Sequence, residues 1–434
     1  MYKYICILIA AVIAAILVWG VAVTPKPYAN STVVLVKKKI SADASGGLSA
    51  EFTQSYVNTV ELEFSEAAES NVKIFNGDEL IYERRGAEKY RYCAFNTVNT
   101  SKLKIVADTP VKVVNLRVSL VKSENTDFRV TAYAVASSIN EENVIPERFD
   151  VVTDVILFGC VTFDENGKLN IDTELLENSY NILKEKAADK KVNFYINILG
   201  PDSQSESDDW NEQMNDKAQR HSAAFKNREL ADSILKLVGD YDFDGVFFDY
   251  EYPLKRRYWN DFDKFIKQLK NNLNGKKVGI AASAWNLSAA GDTPSHADML
   301  ELMQYDLFDD NGNHSSMDTA LSGYNEARKR GLVLHDTDLG LPFYGRPADR
   351  GGYWPSYAEY AETLGRSTDK CTTDGGEAYF NCWQTVYDKT AYALQNDIGG
   401  IMVWHFACDV TDPELSLFNA AGECIKDRVV NNAE

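Results

Sequence analysis

Beyond Asp127 the chain keeps repeating one pattern, a short run of β-branched and aromatic residues followed by a stretch with apolar residues three or four apart. Eight strand candidates can be read: FRVTAYAV (128–135), DVILFGCVTF (154–163), VNFYINIL (192–199), FDGVFFDYE (243–251), VGIAASAW (278–285), LELMQY (300–305), LGLPFY (339–344) and GGIMVWHF (399–406). Between several of them lie the amphipathic stretches TELLENSYNILKEKAADK, NRELADSILKLVGDY, YWNDFDKFIKQLKNNL, DTALSGYNEARKRG and TVYDKTAYALQND. Strands alternating with helices build βαβ units, and eight of them predict an α/β fold, a (β/α)8 TIM barrel, over 127–428. In such a barrel the functional groups gather at the C-terminal strand ends.

Residues 31–124 follow another period, with short alternating runs such as STVVLVKKKI, TVELEFS, NVKIFN and VKVVNLRVSLVK separated by Gly, Asn and Asp. This predicts a small all-β, sandwich-like module, serving as a spacer or a carbohydrate-binding unit. The 434 residues accommodate a barrel and such a companion. Ahead of it, residues 5–23 (ICILIAAVIAAILVWGVAV) are uncharged and long enough to span a bilayer. Residues 1–26 therefore read as a signal peptide, with small residues at Gly20-Val21-Ala22, or as an uncleaved membrane anchor. Either places the protein outside the cytoplasm, secreted or held by an N-terminal transmembrane helix.

A formal net charge of −19 removes the phosphate-neutralising term that drives nucleic-acid binding, and nucleic acid is excluded as a partner. Six of the seven cysteines fall outside the apolar run, which allows disulfides, with Cys371–Cys382 and Cys408–Cys424 as the local pairings. Cys160, in an apolar strand, reads as buried. The five histidines have no metal-ligand spacing and no glycine loop of the phosphate-cradling kind occurs, so no cofactor is implied.

The chemistry concentrates in YDFDGVFFDYEYP, residues 241–253. Side chains alternate along a strand, so Phe247, Asp249 and Glu251 share one face while Val246, Phe248 and Tyr250 share the other. Two carboxylates on one wall repel, and burial adds to the cost of ionising them; both effects push a pKa upward, as a general acid near neutral pH requires. The bland alternative is a solvated strand end with two ordinary acids.

These residues resemble glycoside hydrolase family 18, the chitinases and their relatives, over about 127–425. The family's fourth-strand signature DGxDxDxE is matched by Asp244 to Glu251, with Phe247 in place of an Asp. Met303-Gln304-Tyr305-Asp306 is similar to its sixth-strand MxYD motif, Leu339 to Arg346 to its seventh strand, and Gly399 to Trp404 to its eighth, where the family carries a Trp beneath the substrate. Tyr133 and Asn197 are looser matches, the latter in a degraded third-strand motif, INILG.

The resemblance implies a retaining, substrate-assisted glycosidase acting on GlcNAc-containing polysaccharides or glycans. Glu251 would be the general acid and base, Asp249 would hold the acetamido N–H and offset the positive charge on the ring formed from it, and Tyr305 would orient the acetamido carbonyl. Trp404 would lie under the sugar. Asp306 and Arg346 are either sugar-hydroxyl contacts or a structural ion pair, and Met303, Tyr133 and Asp244 complete the substrate-binding set. Phe247 removes an acid that would raise Asp249, while adding apolar desolvation that pushes the same way, so hydrolysis at altered efficiency is expected. Residues 200–222 read as a polar loop carrying Trp210, and Tyr353, Trp354, Tyr357, Tyr360, Tyr379, Phe380 and Trp383 supply either subsites or packing. Chitin is the default substrate; peptidoglycan or N-glycans, cleaved by an endo-β-N-acetylglucosaminidase, are the alternative. A non-catalytic chitin-binding lectin is the reading from another class.

Overall fold

The computed structural model describes residues 31–430 except 348, 350 and 351. The apolar run at 5–23 lies outside the described residues, among which no helix is long and apolar enough to cross a membrane.

All eight strand candidates form one closed parallel barrel, in chain order: Arg129–Val135, Asp154–Phe158, Asn193–Ile198, Gly245–Asp249, Lys277–Ser283, Met299–Met303, Thr337–Pro342 and Gly400–Trp404. Seven of the eight are shorter than their candidate runs; Thr337–Pro342 has the same six-residue length as its run but starts two residues earlier. Outward side chains such as Val246, Phe248 and Leu302 join the helices in the main core. Inward ones, Tyr133, Ile156, Tyr195, Phe247, Ala281, Met299 and Met402, fill the barrel itself. The interior is sized by glycine at two places. A Cβ at Gly279 would stand 2.0 Å from the Phe247 ring, and one at Gly400 would stand 2.7 Å from Asp338 Oδ1.

The helix Arg256–Asn272 shows why the surrounding layer packs: Tyr258, Trp259, Phe262, Phe265, Ile266 and Leu269 recur at three- and four-residue intervals and are all buried. The expected polar loop at 200–222 is a correction. Its second half is the helix Trp210–Phe225, capped by Asp209, whose side chain accepts from Asn211 N–H. Its buried residues are Ala218, His221, Ser222, Ala224 and Phe225, a stripe too polar to register as apolar periodicity.

The module before the barrel is one antiparallel sheet of six strands, β1 (Ser31–Asp43), β2 (Leu48–Phe64), β3 (Ser70–Asn76), β4 (Glu79–Gly86), β5 (Tyr90–Ala107) and β6 (Lys112–Lys122), in the order β1-β6-β2-β5-β3-β4. Register shifts midway along the long β2/β5 pair bend both strands, so that side chains from all six strands share one apolar core.

Sheet and barrel are joined by buried charge. Arg84 on β4, 1% exposed, bonds Glu88 at 2.9 Å and Asp369 of the barrel at 2.7 Å, and lies 3.3 Å from Asp388. Asp388 also accepts from Tyr82 Oη (3.0 Å) and Ala94 N–H (2.8 Å). Burial pushes its carboxyl up to about 7 even though Arg84 and these donors oppose the shift. A second buried guanidinium, Arg428, reaches Asn58 O at 2.7 Å.

All six cysteines among the described residues are free and buried, so neither Cys371–Cys382 nor Cys408–Cys424 is bridged; Cys160 is buried as expected.

Candidate active site

Asp249 closes the fourth barrel strand, and Glu251 follows two residues later, at the mouth of the barrel rather than inside the strand. Tyr250 N–H still bonds Ala281 O at 3.2 Å, which keeps the alternation of faces past the last strand residue. The outward side of this segment is clamped by aromatics: Tyr250 packs 4.2 Å from Phe262 and 5.0 Å from Trp259 between ring centroids. The inward side carries the two acids.

Their surroundings set their chemistry. Asp249 Oδ2 accepts from Tyr252 Oη at 3.3 Å, while Oδ1 has no hydrogen-bond partner among the described residues. Burial, and then the neighbouring Glu251, push Asp249 up to about 7. Burial also raises Glu251; the Ser283 hydroxyl, donating to Glu251 Oε2 at 2.7 Å, and the Lys217 ammonium draw it partly back, and Asp306 pushes it up again. Asn286 donates its side-chain amide to the Glu251 carbonyl and fixes the backbone that carries the acid. Lys217 sits 3.6 Å from the centroid of the Tyr252 ring, over the same side of the pair. The result is a pair of carboxyls at one barrel rim, both raised above their ordinary range, Asp249 to about 7.

Tyr305, two residues past the sixth strand, has its hydroxyl 3.8 Å from Met402 Sδ, and burial followed by the charges of Asp249 and Glu251 keeps the phenol protonated. Met303 lies beside it, half-buried against the barrel interior. Asp306 adopts φ +55°; its N–H donates to His314 Nε2 at 2.9 Å, and its carboxylate pairs with Arg346. The ion pair between Asp306 and Arg346 thus exists, at the same end of the barrel as Glu251. Trp404 ends the eighth strand half-buried, its ring 4.9 Å from Phe158 and 5.4 Å from Tyr133, so that the three rings make an apolar floor. Tyr133 is buried with its hydroxyl unpartnered among the described residues, and the Asn197 side chain is likewise buried and unpartnered.

Asp244 does not join them. It precedes the N-terminal end of the fourth strand, at the opposite end of the barrel, where its carboxylate accepts from Phe194 N–H at 2.7 Å. Its part in the signature is to tie the third strand to the fourth.

Among the aromatic candidates, Tyr357, Phe380 and Trp383 are buried packing residues, whereas Tyr353 and Trp354 are exposed. Trp354 stands 5.2 Å from Tyr344, which in turn faces Tyr305 at 6.1 Å. Trp210, 50% exposed at the start of its helix, and Trp285, 47% exposed just past the fifth strand, stand 5.9 Å apart. Sequence reasoning missed Tyr252, Lys217, Ser283, Asn286 and Trp285. Ser283 and Trp285 had a signal, since both fall at the C-terminal end of the fifth strand candidate, where side chains face the mouth.

The structure is thus a closed eight-stranded parallel barrel with an acid pair at the rim of its fourth strand. The family model for glycosyl hydrolases family 18 matches residues 129–409, more than half of the chain, and the chain belongs to that family. It is similar to a chitinase from Bacteroides thetaiotaomicron (18% identity, 71% of this chain and 99% of that one, TM-score 0.57). It is also similar to the chitinase ChiB from the chitin utilization locus of Flavobacterium johnsoniae (22% identity, 69% and 94%, TM-score 0.56). A third likeness is to a chitinase-like agglutinin from Robinia pseudoacacia (18% identity, 68% and 98%, TM-score 0.52). The chain is a chitinase-like member of the family.

Proposed function

We propose that the protein hydrolyses β-1,4 linkages next to N-acetylglucosamine, in chitin or a related glycan, with retention of configuration. The observation that carries this reading is the Asp249–Glu251 pair, both raised by burial and held at the mouth by Ser283, Asn286 and Tyr252. Glu251 protonates the leaving glycosidic oxygen. The acetamido oxygen of the sugar attacks its own anomeric carbon, and Glu251, now a carboxylate, takes a proton from the water that opens the resulting oxazolinium ion. Asp249 accepts the acetamido N–H and, once ionised, offsets the positive charge on that ring. Tyr305, protonated and pointing into the same space, donates to the acetamido oxygen, and Trp404 supports the apolar face of the sugar.

The agglutinin among the similar structures favours one second reading, a lectin that uses the same groove without turnover. Retention of Glu251 with its donors supports the enzyme. The apolar run at 5–23 supports an exported protein, as a polymeric substrate would require. A hydrolysis screen across chito-oligosaccharides, peptidoglycan and N-glycans, with the anomer of the product read by NMR, tests the proposal; binding without cleavage of any of them would establish the lectin instead.

A further inference from the structure

The segment that presents Tyr305 and Asp306 is gripped from behind. Ser315 holds it on both sides of the pair: its hydroxyl donates to Gln304 O at 2.6 Å, and its N–H donates to Leu307 O at 2.8 Å. Beside it, His314 Nε2 accepts the Asp306 N–H at 2.9 Å. Burial, followed by the charges of Lys389 and Arg346, lowers His314 to about 3, so the ring is neutral and its Nε2 can accept. Asp306 at φ +55° and Ser315 at φ +47° are both non-glycine residues in the left-handed region. Side chains disfavour that backbone, and it persists where the surrounding structure over-determines it.

What holds Ser315 is a buried lysine. Lys389, on the helix Trp383–Gln395, is fully buried, and its Nζ donates to Ser315 O at 2.6 Å, to Ser315 Oγ at 3.1 Å and to Asn381 Oδ1 at 2.7 Å. Asn381 in turn donates its amide N–H to Ser315 O at 3.1 Å. Ser315 Oγ thus accepts from the lysine while it donates to Gln304. All three acceptors of Lys389 are neutral; Asp369 and Glu88 act on it through charge alone. A buried lysine without a bonded carboxylate is costly and uncommon, yet this one directs two of its three donors at a single residue of the mouth loop. Burial lowers Lys389 to about 7, against the pull of Asp369 and Glu88 and with the push of Arg84. The neutral amine keeps two N–H donors, and at least one of them falls on Ser315, so the grip survives in either protonation state. The far end of the loop is stitched to the sheet module, where Asn311 Nδ2 donates to Ala87 O at 3.4 Å and Asp318 accepts from Lys89 N–H at 3.2 Å.

We infer that Lys389 is a positioning residue for the site: through Ser315 it fixes the backbone on both sides of Tyr305 and Asp306, and so sets where the Tyr305 phenol stands. This rests on the function proposed above, in which Tyr305 orients the acetamido group. The route is short and every link is a hydrogen bond, from Lys389 Nζ to Ser315 and from Ser315 to Gln304 and Leu307, the residues that flank the pair. Asp306 is tied a second time by its ion pair with Arg346. Tyr305 has no such tie, since its hydroxyl meets only Met402 Sδ at 3.8 Å among the described residues, and its placement depends on the backbone that carries it.

The test is amide hydrogen exchange in the unliganded full chain, read by mass spectrometry on peptides covering 304–316, together with turnover of chito-oligosaccharides. Lys389→Met keeps the length of the side chain and removes its donors. Exchange across 304–316 should rise about tenfold while the first barrel strand, Arg129–Val135, keeps its protection. In turnover kcat should fall about tenfold with KM within about twofold, the split expected when a group that acts in the transition state is misplaced. Thr390→Val is the control: Thr390 is the next residue on the helix, buried, with its hydroxyl on Val386 O at 2.8 Å, and its loss should leave the loop and the kinetics as they were. Unchanged exchange over 304–316 in Lys389→Met overturns the proposal. So does a rise spread evenly over the barrel, which marks general destabilisation, and so does a loosened loop with kcat unmoved. If Lys389→Met fails to fold, Ser315→Ala decides the matter, since it removes the bond to Gln304 O and one of the two to Lys389 and should loosen the same peptides. Because exchange needs no substrate, failure of the unmodified protein to cleave any glycan would count against the proposed function, while the exchange arm would still decide whether Lys389 holds the loop.

Discussion

The Ser283 hydroxyl donates to Glu251 Oε2 at 2.7 Å, so the proposed acid is held from the neighbouring strand and not only by its own. That bond favours the carboxylate. Removing it with Ser283→Ala should raise the Glu251 pKa further, shift the upper limb of the pH–rate profile to higher pH and lower kcat about tenfold through lost orientation. A profile superimposable on that of the unmodified protein would show that the bond has no part in catalysis.

Glu251→Gln removes the transferable proton while keeping the shape of the side chain. Hydrolysis of chito-oligosaccharides should fall by about 10²–10⁴-fold or more, with oligosaccharide affinity, read by calorimetry, within a few-fold of the original. Equal losses in turnover and binding would move the role of Glu251 from proton transfer to recognition.

The protonation of Asp249 also bears on stability. Its folded-state pKa, pushed up to about 7 from 3.8, means that the folded state binds this proton more tightly than the unfolded chain does. The contribution is therefore fully present below about pH 4 and is lost as pH rises through about 7. The shift corresponds to roughly 4 kcal/mol, as an order of magnitude. Asp249→Asn should accordingly be more stable than the unmodified protein at pH 8, with the advantage vanishing toward pH 3 in urea denaturation.

Phe247 is packed over Gly279 and lies 5.1 Å from Tyr195, wholly inside the barrel. Phe247→Asp would place an acid directly below Asp249 and raise its midpoint, at a stability cost of about 3–5 kcal/mol from the lost aromatic packing. Gly279→Ala should also destabilise the fold, because the new methyl meets the ring. Unchanged activity in Phe247→Asp, with the fold intact, would show that this position does not tune the acids.

The eight strands were legible because each is an apolar run and several have an amphipathic helical stretch behind them, and Asp249 and Glu251 because alternation along a strand puts residues two apart on one face. What escaped the sequence depends on contacts between elements. Ser283 and Asn286 reach Glu251 from 32 and 35 residues away; the place of Ser283 at the end of a strand candidate marks it only as facing the mouth, and nothing in the neighbourhood of Asn286 marks it. Asp244 looks like its catalytic neighbours in a linear motif, yet five residues of strand carry it to the other end of the barrel. The helix Trp210–Phe225 hid because His and Ser occupy its inner stripe.

The ion network around Arg84 gives the molecule a practical indivisibility. An expression boundary drawn at the linker near residue 125 would remove the cation that faces Asp369 and Asp388 and open the apolar face of the helix Trp383–Gln395 to water. The same cut would unzip Ser123 from Arg428 and Val430, where the end of the described chain is stitched back onto the linker at 2.9 Å. A barrel trimmed in this way would lose the wall against which its last two helices are built, so shortening this protein calls for redesigning that wall rather than moving the start codon.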